Sequence, residues 1–123
     1  MKTINIKGKE YVPVVERVKE AHRLHSPKLT IRTAVISNDE KRVIVKANVL
    51  VNGTWYTGHS QAEWGKGLMG AVALEVAETS AIGRALGFAN IGLLDGIASA
   101  DEMRKANPKS IPVAEDEDLD LDI

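Results

Sequence analysis

The dipeptide Asn52-Gly53 constrains the fold of this chain most strongly, because it lies between two runs of alternating apolar and polar residues. Both central residues of a type I′ turn need a positive φ, and Asn-Gly meets that requirement well. From Val43 to Val51 the apolar residues recur at every second position, which is the period of a half-buried strand. The sequence therefore predicts a hairpin whose two-residue loop pairs Val51 with Thr54.

The register of this hairpin determines which side chains share a face of the sheet. A strand from Leu29 to Ile36 precedes it, and a turn over residues 37–40 brings Arg32 near Lys46. One face is apolar and is predicted to face the core: Leu29, Ile31, Val35, Val43, Val45, Ala47, Val49 and Tyr56. The other is basic and rich in amides, with one large aromatic: Arg32, Lys46, Asn48, His59, Thr57 and Trp55.

Helical periodicity flanks the predicted strands on both sides. Residues 12–25 predict an amphipathic helix with Pro13 in its first turn and Arg17 on its polar side. Residues 70–88 predict a long helix with a face of small residues, which lets another backbone approach closely. Ser99, with Glu102 three residues later, has the spacing of a capping box and predicts a short helix over 99–106.

Charge divides the chain of 123 residues into two parts. Residues 1–106 carry 15 Lys and Arg against 11 Asp and Glu, whereas residues 107–123 carry Lys109 against six acids. We expect a single domain over 1–106, and a linker with a disordered acidic tail over 107–123, because dense charge disfavours a packed core. A basic body with an acidic tail suggests a polyanion-binding surface; a solubilising tail on an ordinary domain is the alternative.

Catalytic, redox and metal chemistry have little support in the sequence. There are no cysteines, and the three histidines lack the acid–histidine spacing of a known metal site. The stretch from Gly58 to Gly67 fails as a P-loop, because Ser60 stands where its first glycine belongs. We therefore expect no enzyme and no cofactor. No apolar run has the length of a membrane span or a signal peptide, so we expect a cytoplasmic protein.

Aromatic residues cluster among cations in one short stretch. Three of the five aromatics, Trp55, Tyr56 and Trp64, fall within ten residues and are interleaved with His59 and Lys66. Such a mixture suits stacking on exposed nucleic-acid bases. The alternative is that both tryptophans anchor the core or a subunit interface.

The order of helix, three-stranded antiparallel meander and long helix resembles the single-strand annealing superfamily, which includes phage Erf, Redβ/RecT-type proteins and the eukaryotic Rad-fifty-two mediator. Two stretches carry the resemblance: Tyr11-Val12-Pro13-Val14-Val15-Glu16-Arg17-Val18, and above all Ala77-Glu78-Thr79-Ser80-Ala81-Ile82-Gly83-Arg84-Ala85-Leu86-Gly87-Phe88. The resemblance covers about residues 10–104 and implies an α+β fold with a β-β-β-α core. It also implies ring or filament homo-oligomers, and binding of single-stranded DNA without ATP. Arg84 matches the family's basic residue in the long helix, although Gly83 stands where the mediator often has a second one.

Residues and resemblance together predict a single-stranded DNA-binding protein that promotes ATP-independent strand annealing in phage-type DNA recombination and repair. The predicted DNA-binding residues are Arg32, Lys46, Arg84, Lys66, His59, Trp55 and Trp64. If the chain is encoded by a phage, the host cytoplasm or nucleoid is its expected location. Two classes stay open: a passive single-strand binding protein, including an oligonucleotide-binding barrel, and a non-DNA interaction protein that interferes with host repair.

The acidic tail looks like the tips through which single-strand binding proteins recruit partners. It is predicted to bind a replication or recombination protein, and it can also reach back and compete with DNA for the chain's own cations. The residues predicted for this role are Asp118, Leu119, Asp120, Leu121, Asp122 and Ile123.

Overall fold

The computed structural model describes residues 1–67, 70–93 and 97–106. Its elements are β1 (Ile4–Ile6), β2 (Lys9–Tyr11), α1 (Val14–His25), β3 (Leu29–Asn38), β4 (Arg42–Val51), β5 (Thr54–Glu63), α2 (Ala73–Phe88) and α3 (Ala100–Ala106). The predicted α+β class, with a helix, a three-stranded antiparallel sheet and a long helix, is confirmed. The predicted linker and tail, 107–123, lie outside the described residues, so the proposed division into domain and tail stays a prediction.

Strand β4 lies in the middle of the sheet, between β3 and β5. The hairpin has the predicted register, with Val51 opposite Thr54 and Lys46 opposite His59. Asn52 and Gly53 have φ angles of 50° and 85°, as the type I′ turn requires. The Asn-Gly turn therefore sets which side chains of β4 and β5 point to the same face.

Strand β3 is longer than the sequence predicts, and this changes its register. It continues to Asn38 and has a bulge between Val35 and Ser37. Arg32 consequently lies opposite Asn48, and Lys46 is its diagonal neighbour in the sheet.

Both long helices pack on one face of the sheet, with α2 over β4 and β5 and α1 against α2. The contact of α2 with β5 is so close that a Cβ added to Gly58 would lie 2.5 Å from the carbonyl oxygen of Ala81. The β4 side chains predicted for this face are buried: Val43, Val45, Ala47 and Val49. Val51, at the end of the strand, is buried on the same face. The expectation for Val35 is wrong, because this residue is 52% exposed on the edge strand β3.

The small residues of α2 make room for α1 within the same chain. A Cβ added to Gly83 would lie 2.5 Å from Cγ2 of Val14, and one added to Gly87 would lie 3.2 Å from Nη1 of Arg17. The sequence places Arg17 on the polar side of α1, and this is wrong: its side chain is 1% exposed. Gly83 therefore leaves space for the side chain of Val14, and Gly87 leaves space for the buried guanidinium of Arg17.

Helix α3 closes the N-terminal end of α1. Pro13 at the N-cap position offers no side-chain hydrogen bond, and Asp101 in α3 accepts one from the backbone N–H of Val14 at 2.7 Å instead. Ser99 caps α3 as predicted, since its Oγ accepts a hydrogen bond from the N–H of Glu102 at 3.2 Å. Helix α3 is therefore joined to α1 by a hydrogen bond and belongs to the same folded unit. Among the described residues, no helix is both long and apolar enough to cross a membrane.

Candidate nucleic-acid interface

The face of the sheet opposite the helices is open in the described part of the chain. Along β4 the burial alternates strictly: residues facing α2 are buried, and those facing away are only partly so. The same outward face of β5 is exposed. We call this surface the open face; its outward residues are Thr30, Arg32, Ala34, Arg42, Ile44, Lys46, Asn48, Leu50, Trp55, Thr57, His59, Gln61 and Glu63.

Trp55 and Arg32 form the most distinctive contact on the open face. The indole of Trp55 is half exposed, and the Cζ atom of Arg32 lies 5.8 Å from the ring centroid. A guanidinium over an indole at this distance is a cation–π contact. Strand β4 separates the two residues, so the contact spans the sheet diagonally.

Polar and basic side chains continue this surface along the strands. Lys46 and His59 are directly opposite each other, as the sequence predicts. Beside them Thr57 donates a hydrogen bond from Oγ1 to Oδ1 of Asn48 at 2.6 Å, which fixes the orientation of both side chains. The open face therefore combines cations, an ordered amide and an aromatic ring.

Arg42 adds a third permanent cation that the sequence reasoning missed. It begins β4, and the length of the strand places it on the same face as Lys46. Arg42 precedes Lys46 by an even number of positions, so the period of two along the strand is the signal that could have revealed it. Within the described residues, no ion pair joins Arg32, Arg42 or Lys46 to a carboxylate.

Trp64 and Lys66 lie beyond the end of β5 and have structural contacts. Trp64 is partly buried against the core, and its Nε1 donates a hydrogen bond to Oδ1 of Asn38 at 2.9 Å. Lys66 lies 3.0 Å from Oε2 of Glu63 in an exposed ion pair. The structure thus separates the two tryptophans, since only Trp55 presents a half-exposed ring on the open face.

Arg84 is on α2, away from the open face. Its Nη1 lies 3.1 Å from Oε2 of Glu102, and its Cζ lies 5.6 Å from the ring centroid of Phe88. The structure therefore brings together four of the predicted DNA-binding residues, Arg32, Lys46, His59 and Trp55, and leaves three elsewhere. The role of all seven in binding stays a prediction.

The exposed cations of α1 are matched by acids on the same helix. Lys19 Nζ lies 3.6 Å from Glu16 Oε2, and Arg23 makes two hydrogen bonds to the carboxylate of Glu20 at 2.7 and 2.8 Å. The Arg23 guanidinium holds the pKa of Glu20 below its ordinary value, mainly through these hydrogen bonds. Because the charges cancel locally, α1 offers little net attraction for phosphates. No group of three or more possible metal ligands is present in the described ranges.

Comparison with known proteins identifies one family. The model of the family described as "Slr1353 N-terminal dsRNA-binding domain-like" matches residues 19–89, more than half of the chain. This range runs from the middle of α1 to one residue beyond α2. No curated protein and no solved structure gives a significant match.

This match overturns the resemblance to the single-strand annealing superfamily, because it assigns the second half of α1, the three strands of the sheet and the whole of α2 to a different family. Both family assignments cover the same order of helix, strands and long helix, so this order could not distinguish the two families. The Gly-Arg stretch of α2 also has a local explanation, since Gly83 receives Val14 and Arg84 pairs with Glu102. These residues therefore satisfy packing needs within the chain.

Proposed function

The chain belongs to the Slr1353 N-terminal dsRNA-binding domain-like family, and we propose that it binds nucleic acid on the open face of its sheet and prefers a single-stranded segment there. The observation that carries the proposal is the half-exposed ring of Trp55 beside Arg32 on the open face. The three cations of this face, Arg32, Arg42 and Lys46, form no ion pair with a carboxylate among the described residues. Exposed aromatic rings within a basic groove bind unpaired bases. The proposed function requires only binding, and it needs no side chain that reacts with the nucleic acid.

The energies of the two contacts available to Trp55 favour a base over Arg32. An exposed cation–π contact contributes about 0.5–1 kcal/mol, whereas stacking of a base on an aromatic side chain contributes about 1–3 kcal/mol. A base can therefore displace the guanidinium, which remains close enough to pair with a phosphate. The hydrogen bond from Thr57 to Asn48 keeps an ordered polar pair beside the stacking position.

The cations of the open face give an expected salt dependence. Neutralising three phosphates with Arg32, Arg42 and Lys46 gives a slope of log K against log salt of about −2 for a single strand. This is a small electrostatic contribution, so a single copy binds weakly at physiological salt. Stacking on Trp55 then contributes a large share of the affinity.

Double-stranded RNA is the second candidate, favoured by the family match over residues 19–89. Duplex RNA is recognised mostly by shape and by contacts to 2′-hydroxyls and phosphates along the minor groove. On this chain the cations of α1 and the loop cation Lys66 are paired with Glu16, Glu20 and Glu63. We rank duplex RNA second because these pairs offset the attraction to phosphates. Strand annealing was implied by the overturned resemblance and is not part of the proposal.

The test uses the fluorescence of Trp55 alone, in a Trp64→Phe background. Single-stranded RNA and DNA of about 12 nucleotides are compared with duplex RNA of about 16 base pairs. We expect single strands to quench the emission and to bind with a slope near −2. Saturation by single strands without quenching would contradict the proposal. Tighter binding of duplex RNA, without quenching of Trp55, would support the second candidate.

A further inference from the structure

Strand β3 leaves one edge of the sheet uncovered in the described part of the chain. The strand order is β3-β4-β5, so β3 pairs with β4 only, and alternate backbone N–H and C=O groups of its ten residues point away from the sheet. Val35 and Ile36 on this edge are 52% and 55% exposed. Long apolar edges of this kind are where a further strand adds.

The two sides of this edge differ in chemistry, and this defines the strand that would fit. On the open face β3 presents Arg32 between Thr30 and Ala34. On the helix side Val35 lies beyond the cover of the helices, and Thr33 donates a hydrogen bond to Glu78 of α2 at 2.7 Å. A complementary strand therefore needs acids on one side and apolar residues on the other.

One segment of the chain has this pattern. Acidic and apolar residues alternate strictly through Asp118, Leu119, Asp120, Leu121, Asp122 and Ile123. The period of two is that of a strand with one polar and one apolar face. We propose that residues 118–123 add to the free edge of β3 as a fourth strand, with the aspartates on the side of Arg32 and the apolar residues on the side of Val35.

The intervening chain is long enough for this arrangement. Eleven residues, 107–117, separate α3 from the segment, and they span up to about 36 Å when extended. A domain of about 106 residues has a radius of gyration of about 13 Å, so any edge of the sheet lies within reach. The inference is independent of the proposed function, since it concerns only contacts within the chain.

Charge favours this segment over a second copy of the chain at the same edge. The residues of β3 include one cation, Arg32, and no acid. Two β3 strands side by side would bring together two arginines without a compensating carboxylate, and like charges across paired strands are destabilising. The segment brings three aspartates to the same edge instead.

Hydrogen exchange of the backbone amides tests the proposal on the full chain. The comparison uses a truncation after Ala114 and the double variant Leu119→Asp with Asp120→Leu. The double variant keeps the composition and the net charge of the segment but breaks its alternation. We expect the edge amides of β3 to exchange at least about tenfold faster in both variants than in the unmodified chain. The amides of β5 should exchange equally in all three.

Four outcomes would overturn the proposal. They are equal exchange of β3 in all three proteins; protection of β5 instead of β3; full protection in the double variant, which would mean that the alternation of acidic and apolar residues does not position the segment; and protection that rises with protein concentration, which would place a second copy at the edge. Circular dichroism checks that both variants keep the fold, and the segment's removal leaves every described contact intact.

Discussion

Arg17 in α1 donates a hydrogen bond from Nη1 to the carbonyl oxygen of Gly83 in α2 at 2.8 Å, although its side chain is 1% exposed. Its Nε donates another, at 3.3 Å, to the carbonyl oxygen of Gly92 just beyond α2. Burial lowers the pKa of this guanidinium, and the charges of Glu102 and Asp101 oppose the shift. One buried cation thus ties α1 to α2 and to the turn that follows it.

Replacing Arg17 by Met is expected to destabilise the fold. The variant keeps an apolar stem but removes both hydrogen bonds, the buried one to Gly83 and the partly buried one to Gly92, and hydrogen bonds to charged groups contribute about 1.5–3 kcal/mol. The free energy of unfolding in urea measures the loss. Arg23→Met is the matched control on the same helix, where the side chain is exposed and its removal should leave the unfolding midpoint nearly unchanged. Equal losses in both variants would contradict the structural role of Arg17.

A methyl group at Gly83 is expected to push α1 and α2 apart. The new Cβ would lie 2.5 Å from Cγ2 of Val14, and such overpacking costs about 1–3 kcal/mol. Val14→Ala removes the clashing methyl group, so the double variant Gly83→Ala with Val14→Ala should recover part of the loss. A double-mutant cycle of unfolding free energies measures this coupling. Strictly additive losses would show that the two residues do not meet.

The register of the hairpin could be predicted from the sequence because it depends on local rules. Asn52-Gly53 sets the turn, and the period of two then sets the faces, so Lys46 and His59 were correctly paired. The register of Arg32 does not follow from local rules alone, because the bulge after Val35 adds a residue that no periodic pattern reveals. Local signals therefore predicted most of the open face, with Arg42 missed at its end.

The packing of the helices could not be predicted in the same way. Arg17 has the polarity of a surface residue, and its burial depends on carbonyl oxygens that lie 66 and 75 positions away. The small residues of α2 predicted a close approach correctly, but the partner is α1 of the same chain. Arg84 is likewise predicted from the sequence to bind DNA, whereas its guanidinium pairs with Glu102 of α3 in the structure. Long-range partners of this kind leave no periodic signal.

Asp101 is expected to stabilise α1 from a distance of 87 positions along the chain. It accepts a hydrogen bond from the N–H of Val14 at 2.7 Å, where Pro13 supplies no side-chain cap. Asp101→Ala should lower the free energy of unfolding by about 1–3 kcal/mol, because it leaves a buried donor unsatisfied. Asp101→Asn keeps an acceptor oxygen and should lose less. Equal stability of all three proteins in urea would exclude the cap.

Asp39 is expected to make the β3–β4 turn sensitive to acid. Its Oδ1 accepts hydrogen bonds from the N–H groups of Arg42 and Lys41, at 2.9 and 2.8 Å, and these hold its pKa below the ordinary value. A depressed pKa in the folded state adds stability above the unfolded pKa, and this stability is lost as the pH falls through the folded value. Thermal unfolding from pH 7 down to about pH 2 measures it. Asp39→Asn should flatten this part of the profile, and an unchanged profile in this variant would contradict the role of Asp39.

Neutralising a cation of the open face is expected to weaken nucleic-acid binding, whereas neutralising a cation of α1 is not. Lys46 lies opposite His59 on the open face, and the described residues hold no carboxylate in an ion pair with it. Lys19 is the same type of residue, but its Nζ lies 3.6 Å from Oε2 of Glu16 on the helix side. Lys46→Gln should therefore weaken binding of a single-stranded oligonucleotide and reduce the slope of log K against log salt by about 0.7. Lys19→Gln should change neither quantity, and fluorescence titrations at four salt concentrations measure both. Equal changes in the two variants would show that charge is spread over the whole surface and that the open face is not the binding site.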